Sequence, residues 1–330
     1  MNKEIFFWFL LSIQSAFGLN GTLIDIGGYK LHIHDTGTGA PTVILDACLG
    51  GNHLYWGLVQ PEVEKFARVC SYDRAGLGWS DESPLARTSE NIAIELHELL
   101  HKARIPTPYI LVGHSSGGIN MRLYANTYPE DVFGVILVDA SHEDQLEVFE
   151  KIDAQFKPGW DGWLKNWALK NRVSQYCANM LRSWHLLAPA VNTIIPVQLR
   201  AAIEPLKKLP KAQRASNGEW TNFKTSMQQL KNSENQLLEK PLIVLTGCKK
   251  RADIFPHDRA RMQEYDKVWP ELQKDFLKNS HKSMQIFAEK SGHFILFDEP
   301  QVVIEAIRAM VNQYRDYDRD GCSGEKRFAN

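Results

Sequence analysis

Short apolar runs alternate with amphipathic stretches along most of the chain. Residues 22–26 (TLIDI) and 29–34 (YKLHIH) are alternating segments on either side of Gly27-Gly28, a pattern that predicts a β-hairpin. Residues 42–47, 68–72, 109–112 and 135–138 are compact runs with few polar interruptions, as expected of strands covered on both faces. Between them, residues 89–103 place Ile92, Leu96, Leu99 and Leu100 on one side of a helix. Residues 116–128 read as a second helix, stopped by Pro129. Buried strands separated by amphipathic helices predict a mostly parallel, twisted sheet with helices on both faces.

The alternation stops after the run at 135–138. Residues 145–239 contain no strand pattern; they read as helices with Pro breaks, rich in tryptophan (Trp160, Trp163, Trp167, Trp184, Trp220). The strand pattern resumes at 241–246, followed by a helix at 258–277, a strand at 284–287 and a helix at 300–314. The predicted organisation is an α/β core made of residues 19–144 and 241–314. A helical cap, 145–240, is inserted before the penultimate strand, and a polar tail, 315–330, is expected to be disordered. In the tail, Asp316, Asp318, Asp320 and Gly321 imitate the start of a calcium-binding loop, but Arg327 stands where that loop needs a bidentate glutamate.

At 330 residues and 44% hydrophobic content, the chain can bury one large core. Its formal net charge of −1 gives no basis for nucleic acid or a polybasic membrane surface as partner. The N-terminus differs from the rest. Residues 5–13 (IFFWFLLSI) form an apolar run followed by small residues, which predicts a signal peptide over 1–18, cut after Gly18 or Ala16. The run is well short of the roughly 20 residues a spanning helix needs. The expectation is export to a secreted or periplasmic location; the other reading is a hydrophobic anchor. Asn20-Gly21-Thr22 is a glycosylation sequon. The five cysteines (48, 70, 177, 248, 322) show no metal-type spacing and read mostly as small buried hydrophobes, with one disulfide open to an exported protein.

Candidate chemistry centres on Gly113-His114-Ser115-Ser116-Gly117, a G-x-S-x-G between a predicted strand and helix. A serine there sits on a sharp turn at the C-terminal edge of the sheet, beside the free N–H groups of a helix start. Serine needs a base to act as a nucleophile. Ser291-Gly292-His293-Phe294 follows the last predicted strand and precedes the final helix, which makes His293 the candidate. Asp73 and Arg74, in Tyr72-Asp-Arg-Ala-Gly-Leu-Gly-Trp-Ser80, read as a structural charged pair.

These segments together resemble the α/β-hydrolase superfamily, from Gly21 to about Tyr314: the serine and histidine motifs, and the D-R-x-G-x-G-x-S segment at Asp73. The resemblance implies a triad in the order serine, acid, histidine. The acid has two candidates. The family's usual place, in a G-x-x-D pattern after the strand at 241–246, holds lysine here, with Asp253 three residues late. Asp139, at the end of the preceding strand, is the place some members use; Glu143, Asp144 and Asp258 stand behind these two. The resemblance also implies two backbone oxyanion donors. One is Ser116. Counting back from Trp56, the other is Leu49, where Ala47 and Cys48 replace the family's His-Gly pair.

The implied activity is hydrolysis of a carboxylic ester, less readily an amide, in a small acyl substrate and without a cofactor. An acyltransferase or a C–C hydrolase would use the same residues. A non-catalytic binding protein on this fold is disfavoured because Ser115 and His293 are both present. Residues 151–240 carry 14 Lys/Arg and 6 Asp/Glu, a basic excess that either steers polar substrates or simply solvates a helical face.

Overall fold

The computed structural model describes residues 21–154, 195–251 and 259–325. The predicted signal, four of the insertion tryptophans (160, 163, 167, 184), Asp253, Asp258 and Arg327 lie outside the described residues.

The eight strands are β1 (Thr22–Asp25), β2 (Lys30–Thr36), β3 (Thr42–Asp46), β4 (Arg68–Asp73), β5 (Tyr109–His114), β6 (Val132–Val138), β7 (Leu242–Gly247) and β8 (Ser283–Ala288). They form one sheet in the order β1-β2-β4-β3-β5-β6-β7-β8. β1 and β2 make the expected hairpin, and β2 joins β4 antiparallel; every other pairing is parallel. The apolar runs are continuous because successive residues enter opposite cores. Val43, Leu45, Ile110, Val112, Ile136, Val138, Ile243 and Leu245 face one side; Ile44, Leu111, Val135, Leu137, Leu242 and Val244 face the other. Full burial of each such side chain contributes about 1.5–3 kcal/mol.

The helices used below are α1 (Ser89–Lys102), α2 (Gly117–Thr127), α3 (Gln145–Asp153), α4 (Val197–Lys207), α5 (Pro210–Thr221), α6 (Phe223–Asn232), α7 (Arg259–Asp275) and α8 (Pro300–Glu325). Thr88 caps α1, its hydroxyl accepting from Asn91 N–H, and Leu96, Leu99 and Leu100 enter the second core. Val303, Ile307 and Met310 of α8 fill the first. Between β6 and β7 the described residues contain helices and no strand. α6 docks on the core, where Phe223, Met227 and Leu230 pack against Ile119 and Leu123 of α2 and against Leu49.

Two expectations need correcting. β6 begins at Val132, three residues before the predicted run, because Val132 and Gly134 still pair with β5 across a register shift at Tyr109/Ile110. The final helix does not stop near Tyr314 but runs to Glu325, so residues 315–325 are helical and not a disordered tail. Arg315 Nη2 donates to the Phe66 carbonyl at 2.7 Å, and Tyr314 meets the Phe133 ring edge-on at 5.2 Å; these contacts carry the helix past the end of its core-facing periodicity. The aspartates at 316, 318 and 320 lie on this helix.

The basic excess of the insertion is partly engaged. Lys211 donates to the Ser80 carbonyl, Arg214 pairs with Glu82, Lys231 with Asp144 and Glu147, and Lys240 donates to the Pro129 and Val132 carbonyls. These cations fasten the helices to the core and leave less charge for steering.

Candidate active site

Ser115 follows β5 in the left-handed region, φ +56°. For a residue with a Cβ this conformation costs about 1–2 kcal/mol. The flanking glycines are required by close approach. A Cβ at Gly113 would lie 2.5 Å from the Gly117 carbonyl oxygen, and one at Gly117 would lie 2.6 Å from that of Asp46. The turn is braced by β6 and the segment after it: Ser115 N–H donates to the Val138 carbonyl at 3.2 Å, and Ser141 N–H to that of Ser115 at 2.9 Å.

Beside this turn a hydroxyl, an imidazole and a carboxylate form a chain. His293 Nε2 lies 3.0 Å from Ser115 Oγ, and His293 Nδ1 lies 2.7 Å from Asp139 Oδ2. With Nδ1–H donating to the carboxylate, Nε2 carries the lone pair and accepts from the hydroxyl. Asp139 is buried and also left-handed, φ +42°. Its second oxygen accepts from Trp269 Nε1 at 3.0 Å and from Gly247 N–H at 3.1 Å. Burial alone would raise this carboxyl's pKa. The His293 hydrogen bond and charge, Arg251 and the Trp269 bond outweigh it, so the pKa lies below the ordinary value. One turn beyond Trp269 on α7, Gln273 donates to the Ala140 carbonyl at 2.7 Å. α7 therefore supports the whole Asp139 turn, and Arg251 stacks over the Trp269 ring at 4.7 Å.

The histidine loop is fixed separately. Gly292 N–H donates to Asp298 Oδ2 at 3.0 Å, and Lys249 N–H donates to the Ser291 carbonyl at 2.8 Å. The loop after β7, where the family pattern would put the acid, thus braces the histidine loop. The buried His114, inside the serine motif, holds the His293 carbonyl through Nε2 at 2.8 Å. Burial and the neighbouring His293 charge push its pKa down to about 3, so it stays a neutral donor.

Of the carboxylates left open by the sequence, Asp139 meets the imidazole. Asp253 and Asp258 lie outside the described residues. Glu143 pairs with Arg122 at 2.5 Å; burial would raise its pKa, but this pair brings it down to about 2. Asp144 pairs with Lys231. His281 is exposed and bonded to Glu239.

Of the two backbone donors the sequence suggests, Leu49 lies in the loop after β3 and Ser116 at the start of α2, directly after Ser115. Among the described residues, the N–H groups of Leu49 and Ser116 have no acceptor, whereas Gly50 N–H is taken by Glu219 Oε2 at 2.8 Å. Arg74, buried as expected, spans Asp46 and Glu219. Asp73 anchors a different cluster. It accepts from His53 N–H at 2.8 Å, His53 Nδ1 at 3.0 Å and Trp79 N–H at 3.0 Å, with His32 Nδ1 3.0 Å from its other oxygen. His32, His53 and Asp73 are the one described group whose ligand atoms converge as a metal site would require. Both Asp73 oxygens already accept N–H groups, so the cluster acts as a brace for the segment at 73–80. Cys48 and Cys70 are buried free thiols, as expected of small apolar residues, and Cys248 is exposed.

Three residues that shape the site had no local mark in the sequence beyond the motif itself: Trp269, Glu219 and His114. His114 occupies the variable position of G-x-S-x-G. The other two reach the site across 130 and 169 residues of chain.

A family model described as the alpha/beta hydrolase fold matches residues 41–300, and the chain belongs to that family. It is 27% identical over 283 residues to the Bacillus subtilis protein YqjL, covering 86% of this chain and 88% of that one. Among solved structures it is similar to a thermophilic esterase from Thermogutta terrifontis (TM-score 0.55, 20% identity, 89% of this chain and 98% of that one). It is also similar to the epoxide hydrolase CorEH (TM-score 0.60, 18% identity, 89% and 99%). These likenesses are of fold, and the fold hosts more than one chemistry.

Proposed function

We propose that this protein is a serine hydrolase that cleaves a carboxylic ester, in preference to an amide, through an acyl-enzyme. Ser115 Oγ attacks the substrate carbonyl while His293 Nε2 takes its proton. Asp139 keeps the imidazole in the Nδ1–H tautomer and stabilises the imidazolium. The N–H groups of Leu49 and Ser116 hold the oxyanion. The tetrahedral intermediate expels the alcohol, which receives the proton from His293. Water, deprotonated by the same nitrogen, then releases the acyl group.

The observation that supports this reading is the position of His293, 3.0 Å from the hydroxyl and 2.7 Å from the carboxylate. A serine at the turn also disfavours the epoxide-hydrolase route, which needs a carboxylate nucleophile. The substrate is a small acyl compound and no cofactor takes part. The proposal includes residues 145–240 as a cap over the site and residues 1–18 as an export signal. No helix among the described residues is long and apolar enough to cross a membrane.

The test is turnover of p-nitrophenyl butyrate, with the first turnover resolved in stopped flow. A burst of p-nitrophenol, lost in Ser115→Ala and His293→Ala, is expected. Turnover that survives in folded Ser115→Ala would sink the proposal. Faster release to added alcohols than to water would turn it toward acyl transfer.

A further inference from the structure

The oxyanion loop is not held by the core alone. Arg74 uses every guanidinium N–H on it and on Glu219. Nη1 donates to Asp46 Oδ1 at 2.6 Å and to the Ala47 carbonyl at 2.9 Å. Nη2 donates to the Cys48 carbonyl at 2.8 Å and to Glu219 Oε2 at 3.0 Å, and Nε donates to Glu219 Oε1 at 2.7 Å. Glu219, on α5, then accepts Gly50 N–H through the same Oε2 at 2.8 Å. Asp46 is further held by Asn120 Nδ2 of α2 at 2.7 Å.

Leu49 sits between these two restraints. The Cys48 carbonyl and the Leu49 N–H belong to one planar trans peptide, so they point in opposite directions. Fixing the carbonyl on Arg74 fixes the direction of the N–H. The next peptide is fixed by Gly50 N–H on Glu219. The loop also lies against the nucleophile turn, since a Cβ at Gly117 would be 2.6 Å from the Asp46 oxygen and 2.8 Å from the Ala47 oxygen. α5 approaches the loop so closely that a Cβ at Gly50 would lie 2.5 Å from Ser216 Oγ.

We infer that Glu219 is a positioning residue for the oxyanion hole: helix α5, outside the α/β core, aims the Leu49 N–H by orienting Arg74 and tethering Gly50. This rests on the reading of Ser115 as nucleophile and Leu49 as donor. The Glu219 carboxylate bonds Arg74 and Gly50 N–H, not Ser115 or His293. With α5 docked, the loop is held in the donor geometry; without the carboxylate, the Leu49–Gly50 peptide loses its acceptor, and Arg74, which holds the Cys48 carbonyl together with Gly51 N–H, loses one of its two carboxylate partners.

The experiment compares wild type, Glu219→Gln, Glu219→Asp and Arg214→Ala in p-nitrophenyl butyrate turnover and in the rate of fluorophosphonate labelling. Arg214→Ala removes the exposed α5–Glu82 pair without touching the loop. Loss of a whole oxyanion donor lowers kcat about 10²–10³-fold, so misaiming one in Glu219→Gln is expected to lower kcat about 10–100-fold. KM should stay within about threefold and the pH profile of kcat/KM should keep its shape, because binding and the base are untouched. Labelling should slow with kcat. Glu219→Asp, which keeps the charge but withdraws it by one methylene, should recover part of the rate, and Arg214→Ala should match wild type. If Glu219→Gln does not fold, a reduced kcat at unchanged KM in Glu219→Asp carries the same test. Wild-type kcat in either folded Glu219 variant, or an equal loss in Arg214→Ala, overturns the inference and leaves the serine reading standing. A wild type that neither labels nor turns over removes both.

Discussion

On the acid side of the site, Asp139 and His293 are held by strand ends and by helix and loop groups of the α/β core: Gly247 N–H, Trp269, the Asp298 carboxylate and the buried His114. On the oxyanion side, the loop after β3 is held by a buried cation that shares its carboxylates between the core and α5. The first arrangement is a set of hydrogen bonds from neutral donors, three of them to a carboxylate and one to a carbonyl. The second is an ion-pair network whose members are 28 and 145 residues apart in sequence. Removing one partner of a buried ion pair leaves an uncompensated charge, whereas removing a neutral donor leaves a weaker deficit. On the proposed reading, the base and its acid belong to the fold, while the aim of the oxyanion donor belongs to what is inserted into the fold.

The largest effects are expected on the acid side, where the proposed chemistry takes place. Ser115→Ala should lower kcat for p-nitrophenyl butyrate by about 10⁴-fold or more. Asp139→Asn should lower it by about 10⁴-fold by favouring the wrong imidazole tautomer, while Asp253→Asn should leave kcat within about twofold of wild type. Steady-state kinetics on the purified variants checks both, and an intact rate in Asp139→Asn would break the comparison at its first term.

A smaller effect is expected from Trp269→Phe, which removes a donor to Asp139 while keeping the ring under Arg251. Its folded-state pKa is below the unfolded value, so Asp139 contributes stability above the ordinary carboxylate pKa, and this is lost as pH falls through the folded value. Without the indole N–H the folded pKa rises, and the contribution shrinks and disappears at a higher pH. Trp269→Phe should therefore unfold at a higher pH in an acid titration and lose about 1–2 kcal/mol at neutral pH, read from urea unfolding. Acid unfolding coincident with wild type would mean that the indole bond is incidental.

The smallest effect at neutral pH concerns His114, whose contribution appears only in acid. In the fold its pKa is pushed down to about 3, while in the unfolded chain it takes a proton below about 6.5. Unfolding then takes up a proton, so stability falls as pH drops from about 6.5 toward 3, by up to about 1.4 kcal/mol per pH unit. His114→Gln, which keeps a donor for the His293 carbonyl, should flatten that part of the stability curve. An unchanged slope would show that other groups set it.

The same contrast explains how much could be read from the chain. Periodicity marked all eight strands within three residues: the inner strands β3 to β7 are buried on both faces and read as compact runs, while β1 and β2 were read from alternation around Gly27-Gly28 and β8 from a short run on the sheet edge. The serine turn was legible because Gly113 and Gly117 are demanded by contacts within a few residues of sequence or with the adjacent strand end. His293 was legible from its place after the last strand. The acid was left open between Asp139 and Asp253, since strand-end position is compatible with both and only tertiary contact distinguishes them. Glu219 and Trp269 were invisible: each is one polar group on an otherwise ordinary amphipathic helix, and its partner is fixed by packing that no local pattern encodes. The final helix was read too short because its last turns are held by Arg315 on a loop carbonyl and by ring contacts, not by an apolar stripe.

The central claim, that Asp139 and His293 activate Ser115, is tested most directly by the rate of fluorophosphonate incorporation into wild type, Ser115→Ala, His293→Ala, Asp139→Asn and Asp253→Asn, with the modified residue located by peptide mass spectrometry. Rapid labelling of wild type and Asp253→Asn at residue 115 is expected, with labelling slowed by orders of magnitude in His293→Ala and Asp139→Asn. Labelling at another residue, or an Asp139→Asn variant that labels as fast as wild type, would contradict the claim.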